Sequence, residues 1–214
     1  MLFSLYKLII FRFLILLIFS INIIPTNVFC NQKIALFGDS LMSGYGLDKS
    51  FHLSTILEKS LKEKGFDVTV INASVSGDTS SGGLNRINWL LKNVKIDIVV
   101  LCLGANDMLR GLNPTIVREN LNKILEILKK KNKSILFAGM LSQDTLGKEY
   151  KNNFDRIYPD LAEKFKVPFL PFLLHGVALK PEYNLDDGKH PNADGVFVIS
   201  KNIEMELIRI LNNK

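Results

Sequence analysis

The run "IDIVVLCLGAND", residues 96–107, is apolar at every position from Ile98 to Leu103 and then stops at Gly104. A strand with one wet face alternates apolar and polar side chains. An unbroken apolar run instead reads as a strand covered on both faces, as in a parallel sheet between helices. The same pattern recurs on either side of it. "KIALFG" (33–38), "DVTVIN" (67–72), "KSILFAG" (133–139) and "VPFLPF" (167–172) complete a set of five predicted strands. Between them run amphipathic stripes at helical spacing. Leu53, Ile56, Leu57 and Leu61 form one; Leu84, Ile87, Leu90 and Leu91 a second; Ile116, Leu121, Ile124, Leu125 and Leu128 a third. Helical patterns also cover Tyr150 to Phe165 and Val196 to Leu211, and Pro114 sits where a first helical turn begins. Strands separated by helices imply right-handed βαβ units. The expected architecture is one three-layer α/β/α domain with a five-stranded parallel sheet.

The chain has 214 residues, enough for one full-sized core, and its 47% apolar and 22% charged content is that of a globular protein. The first 30 residues stand apart. Their only charges are Lys7 and Arg12, and "FLILLIFSINII" (13–24) is apolar almost throughout. A basic flank, a short apolar core and "PTNVFC" before residue 31 match a secretory signal peptide cut after Cys30. The expectation is a leader over 1–30 and a single domain over 31–214, with a periplasmic or secreted product. Retention of the leader would make it a membrane anchor, because Leu8 to Ile24 is nearly long enough to span. A lipid-modified Cys30 fits less well, since bulky Phe29 precedes it.

The net charge is +6, and removal of Lys7 and Arg12 leaves 25 basic against 21 acidic residues, a mild +4. Basic runs such as "KKKNK" (129–133) lie at an expected helix end, where cations suit the helix dipole. No aromatic residues interleave with them, so no nucleic-acid partner is expected. With Cys30 gone, Cys102 has no internal disulfide partner and reads as a small core residue.

In parallel α/β sheets, ligands bind beyond the carboxyl ends of the strands. Those ends carry the chemistry here. The first strand runs into "FGDSLMSGYG" (37–46), the second into "NASVSGDTSSGG" (72–83), the third into "LGANDMLRG" (103–111), and "DDGKHPN" (186–192) lies near the C-terminus. A serine hydroxyl such as that of Ser40 is a weak nucleophile until a base takes its proton. His190 can do so near neutral pH, and Asp187, three residues earlier, can hold its imidazole in one tautomer. Attack on an acyl carbon creates an oxyanion. The backbone N–H groups of Ser40 and Gly77 and the side-chain amide of Asn106 are candidate donors to it.

On these four blocks the sequence resembles the SGNH, or GDSL, hydrolase family, from about Lys33 to the C-terminus. It looks most like the periplasmic acyl-CoA thioesterase, protease and lysophospholipase subgroup, also called arylesterases. "YPDLAEKFKVPFLPF" and "ALKPEYNLDDGKHPN" carry that likeness outside the catalytic blocks. The resemblance implies a flavodoxin-like sheet and Ser40, Asp187 and His190 as the catalytic triad. It also implies an oxyanion hole of Ser40, Gly77 and Asn106, with no metal and no cofactor. The implied substrates are small acyl esters, thioesters or lysophospholipids. A monomer is expected, without stable membrane insertion once the leader is removed.

Three other functions compete with this one. A carbohydrate O-deacetylase of the cell envelope would use the same triad. A metal-dependent phosphoesterase ordinarily needs several His ligands, and this chain has three His in all. A binding protein on the same fold would not need Ser, His and Asp together. His52 and His175 read as surface or helix-end residues. Asp39 reads as support for its loop through hydrogen bonds, and Asp78 and Asp107 as sources of local hydrogen bonds. Trp89 reads as a packing residue on its helix.

Overall fold

The computed structural model describes residues 31–213; the expected leader lies outside these residues. Five strands form one sheet: β1 (Gln32–Phe37), β2 (Val68–Asn72), β3 (Ile98–Leu101), β4 (Ser134–Ala138) and β5 (Phe169–Leu170). All neighbouring strands pair in parallel, in the order β2-β1-β3-β4-β5. The eight named helices are α1 (Ser40–Ser43), α2 (Leu53–Glu63), α3 (Ser80–Asn93), α4 (Ala105–Leu109), α5 (Pro114–Lys130), α6 (Lys148–Asp155), α7 (Ile157–Phe165) and α8 (Ala193–Asn212). Helix α2 packs on α8, while α3 packs on α5, which in turn meets α6 and α7. Among the described residues, no helix is long and apolar enough to cross a membrane.

The apolar runs do what their pattern implies. Every residue of β3 and the last four of β1 are buried, although successive side chains point to opposite faces. Both faces are therefore covered. Burying one Leu, Ile, Val or Phe side chain contributes about 1.5–3 kcal/mol, so these two strands alone anchor the core. Cys102 is buried there, as expected.

Local chemistry sets the helix starts. Asn113 accepts from Thr115 N–H, ahead of Pro114, and so opens α5. Thr79 and Asn192 cap α3 and α8 through Gly82 N–H and Gly195 N–H. Four details depart from the sequence reading. The helical pattern over 150–165 is two helices broken at Arg156, which caps both. Pro159 supplies the reason: it cannot donate to the carbonyl of Asp155 four residues back. The fifth strand shrinks to two residues because Pro168 and Pro171 flank it and neither can donate to the ladder. Ile116 is exposed, and Val117 takes its place in the buried stripe of α5. Trp89 does not pack; its side chain is 66% exposed on α3.

Candidate active site

The strand order places the site. The chain leaves β1 for β2 on one side, then crosses back to β3 on the other, so the direction of winding reverses between β1 and β3. Such a switch point opens a crevice at the carboxyl ends of the two strands. Phe37 is in register with Leu101, so the two strands end level with each other. Ser40 lies three residues past the end of β1, and Asn106 five past the end of β3.

Ser40 is the first residue of α1. Asp39 caps that short helix, with Oδ1 accepting from Leu41 N–H at 3.0 Å. A residue at this position has no intrahelical acceptor for its own N–H. The Ser40 N–H has no protein partner among the described hydrogen bonds, and neither has that of Gly77. The Ser40 hydroxyl does have one: His190 Nε2 stands 2.9 Å from Ser40 Oγ, across 150 residues of sequence.

A closed turn presents His190. Leu185 N–H donates to His190 carbonyl at 2.8 Å, and Asn184 bridges Pro191 antiparallel. Inside that loop Gly188 takes a left-handed φ of 65°. Asp187 Oδ1 accepts from the backbone N–H groups of Lys189 and His190 at 2.9 and 3.0 Å. This leaves Asp187 Oδ2 free to face His190 Nδ1, at 2.5 Å. The imidazole bond, followed by the two backbone N–H bonds, holds the Asp187 carboxyl well below the usual carboxylate range. Tyr45, itself half-exposed, covers the imidazole with its ring, centroid to centroid 4.3 Å.

The loops after β2 and β3 are tied to each other and to β1. Ala73 and Val75 N–H donate to the carbonyls of Leu36 and Gly38, both at the exit of β1. Ser43 Oγ and Ser76 Oγ are 2.9 Å apart. Gly77 has a left-handed φ of 79°, which favours glycine, and its carbonyl accepts from Arg110 at 3.0 Å. Asn106 spends one amide hydrogen on the Asp78 carbonyl at 2.9 Å. An amide has two donor hydrogens, so that bond orients the group and leaves the other available. Asp107 is buried and grips the start of α3, accepting from Ser80 N–H and Ser80 Oγ at 2.8 and 2.7 Å. Gly104 makes the bend into α4 possible, since a Cβ there would lie 2.2 Å from Tyr158 Oη.

Asp39 is the one buried carboxylate directly beside the serine. It is 2% exposed, and its Oδ2 has no partner. Burial pushes its pKa up to about 6; the Leu41 N–H bond opposes this, and Asp78 nearby adds to it. The bond to Leu41 is the loop support that the sequence suggested. His52 directly precedes α2, with Nε2 3.2 Å from Leu47 carbonyl, and His175 is exposed. Among the described residues no group of three or more His, Cys, Asp or Glu is arranged to hold a metal ion.

Two surface clefts of about 460 and 520 Å³ contain none of these residues. The first runs along Ser54, Glu58 and Val70, and the second along Lys133, Lys166 and Arg209. Nothing in the sequence singles out Tyr45, Arg110 or Arg86 of α3, whose guanidinium donates to the carbonyls of Ala73 and Gly38. Arginines on a helix face or in a loop read as solvated charge, and nothing local marks the distant carbonyls that they meet.

Known proteins share this sequence pattern and this fold. Residues 36–196 match the model of the GDSL-like Lipase/Acylhydrolase family. An arylesterase of Vibrio mimicus is 38% identical over 181 residues, which cover 85% of this chain and 90% of that protein. The Escherichia coli K12 protein "thioesterase 1/protease 1/lysophospholipase L1" is 36% identical over 203 residues, 95% of this chain and 93% of its own length. Among solved structures, AlinE4, described as an SGNH-hydrolase family esterase, superposes with a TM-score of 0.72 at 41% identity. It covers 85% of this chain and 97% of its own.

Proposed function

The chain belongs to the GDSL-like lipase/acylhydrolase family, and we propose that it cleaves acyl esters and thioesters through an acyl-enzyme on Ser40. One observation carries this reading: His190 Nε2 lies 2.9 Å from Ser40 Oγ while Nδ1 of the same ring faces Asp187. That is the geometry of a base poised on a nucleophile and oriented from behind. His190 takes the hydroxyl proton as Ser40 Oγ attacks the acyl carbon. Asp187, exposed but firmly ionised, fixes the tautomer and balances the imidazolium that forms. The negative charge gathers on the carbonyl oxygen, where the N–H groups of Ser40 and Gly77 and the second amide hydrogen of Asn106 receive it. His190 returns its proton to the departing alcohol or thiol. Water then attacks the acyl-enzyme, with His190 as base again, and Ser40 is regenerated.

Exposed apolar side chains favour an acyl group over a short polar one. Tyr45, Val75, Leu109, Leu112 and Leu141 are each 38–50% exposed. All sit on segments that follow the carboxyl ends of β1 to β4. This placement supports lysophospholipids, fatty acyl thioesters and aryl esters ahead of an acetylated carbohydrate. The test is a series of 4-nitrophenyl esters with lengthening acyl chains and a constant leaving group. The expected result is a burst of one nitrophenol per enzyme and a kcat/KM that climbs with chain length. Each buried methylene adds at most about fourfold, from about 0.8 kcal/mol. A maximum at acetate with a steady fall thereafter would move the reading to the deacetylase.

A further inference from the structure

Arg86 projects from α3 into the junction of the loops that carry Ser40, Gly77 and Asn106. Its guanidinium is engaged on three edges. Nε donates to Asp78 Oδ2 at 2.6 Å, Nη1 to Ala73 carbonyl at 2.5 Å, and Nη2 to Gly38 carbonyl at 3.1 Å. Its flat face lies on the Phe37 ring, 3.8 Å from the centroid. Three of these partners belong to different pieces of backbone: the exit of β1, the exit of β2, and the turn into α3. The Asp78 carbonyl in turn accepts the Asn106 amide, which comes from the exit of β3. The carboxylate of Asp78 is nearly buried, with 9% of its side chain exposed, and is ion-paired to Arg86. Gly82 makes room for it, since a Cβ there would lie 1.9 Å from Asp78 Oδ1.

From this geometry we infer that Arg86 is a positioning residue for the oxyanion hole: it clamps the exits of β1 and β2 to Asp78, and so holds the Gly77 and Asn106 donors in place over Ser40. The inference rests on the acyl-transfer reading above. The fork shape is what matters. A planar guanidinium meets three acceptors in fixed directions, while a lysine ammonium offers one point charge on a flexible stem. An oxyanion donor acts on charge that exists only in the transition state, so a shifted donor lowers kcat with little change in KM.

The experiment compares wild type, Ser40→Ala, Arg86→Lys, Arg86→Ala and Asp78→Asn on one 4-nitrophenyl ester, with folding checked by circular dichroism. A trifluoromethyl ketone, which forms a tetrahedral adduct, probes the hole directly. Arg86→Lys should lose about 10- to 100-fold in kcat, with KM within about threefold of wild type. Its affinity for the ketone should fall in parallel with kcat. Added guanidinium should restore part of the kcat of Arg86→Ala. If Arg86→Ala does not fold, Arg86→Lys and Asp78→Asn decide the matter, with the same loss expected of both. A folded Arg86→Lys with kcat within twofold of wild type would overturn the inference. So would a loss of kcat with unchanged ketone affinity. Ser40→Ala separates the two levels. Full turnover in that variant removes the acyl-transfer reading itself, whereas a dead Ser40→Ala beside a normal Arg86→Lys removes only the role of Arg86.

Discussion

Asp39 and Asp187 are both acidic side chains near one serine, yet their surroundings drive them in opposite directions. Asp187 lies on the surface and collects three hydrogen bonds, so it stays ionised far into acid. Asp39 is buried with one backbone N–H and an unpartnered Oδ2, and its pKa rises to about 6. The consequence for stability has a definite sign. Unfolded, Asp39 ionises near its ordinary 3.8; folded, it holds its proton to about 6. Its favourable contribution is fully present below about pH 4 and is lost as the pH rises through about 6. The difference amounts to about 3 kcal/mol. Asn carries no such charge and keeps an oxygen for Leu41. Asp39→Asn should therefore gain roughly that much on the wild type between about pH 4 and pH 8, read from urea titrations at each pH. Stability profiles that run parallel across this range would remove the buried charge from the account.

Short elements do the placing. Helix α4 carries Asn106, the proposed oxyanion donor, next to Asp107, which holds the start of α3. Asp107 replaces the missing acceptors of the first turn of α3, and Asn120 also donates to Ser80 Oγ, at 3.0 Å. Asp107→Ala strips these acceptors from a buried N–H and a buried hydroxyl. It should cost about 2–4 kcal/mol, seen as a lower urea midpoint with an unchanged slope. An unmoved midpoint would show that α3 starts without that cap. At this scale the sequence was legible where chemistry is local. Pro114, the apolar runs and the apolar stripes placed the main strands and helices to within a few residues. The break at Arg156 followed from Pro159, a signal present in the sequence but outweighed by the helical stripe around it. Trp89 and Ile116 went the other way: their apolar character suggested burial, but among the described residues both are exposed. Arg86 was hidden because its acceptors are 8, 13 and 48 residues away and two of them are backbone carbonyls.

At the scale of the whole molecule, the site exists only because the sheet is wound in this order. Ser40, Gly77, Asn106 and the Asp187–His190 turn come from four separate stretches, each legible as a motif by its residue types. Their convergence follows from the strand order and from the rule that ligands gather beyond strand ends. Five apolar runs predicted parallel strands but not their order, which entered only through the flavodoxin-like sheet that the family resemblance implies. On the proposed reading, folding makes the nucleophile: an isolated serine hydroxyl is unreactive, and the imidazole proposed as its base is 150 residues away. The direct test is labelling with a serine-directed fluorophosphonate, followed by peptide mass mapping, on folded and urea-unfolded protein. The account predicts one adduct per folded chain, on Ser40. It predicts none on unfolded protein, and none on Ser40→Ala or on a folded His190→Ala. An adduct on a different residue of the folded wild type, or equal labelling of Ser40 after unfolding, would contradict it.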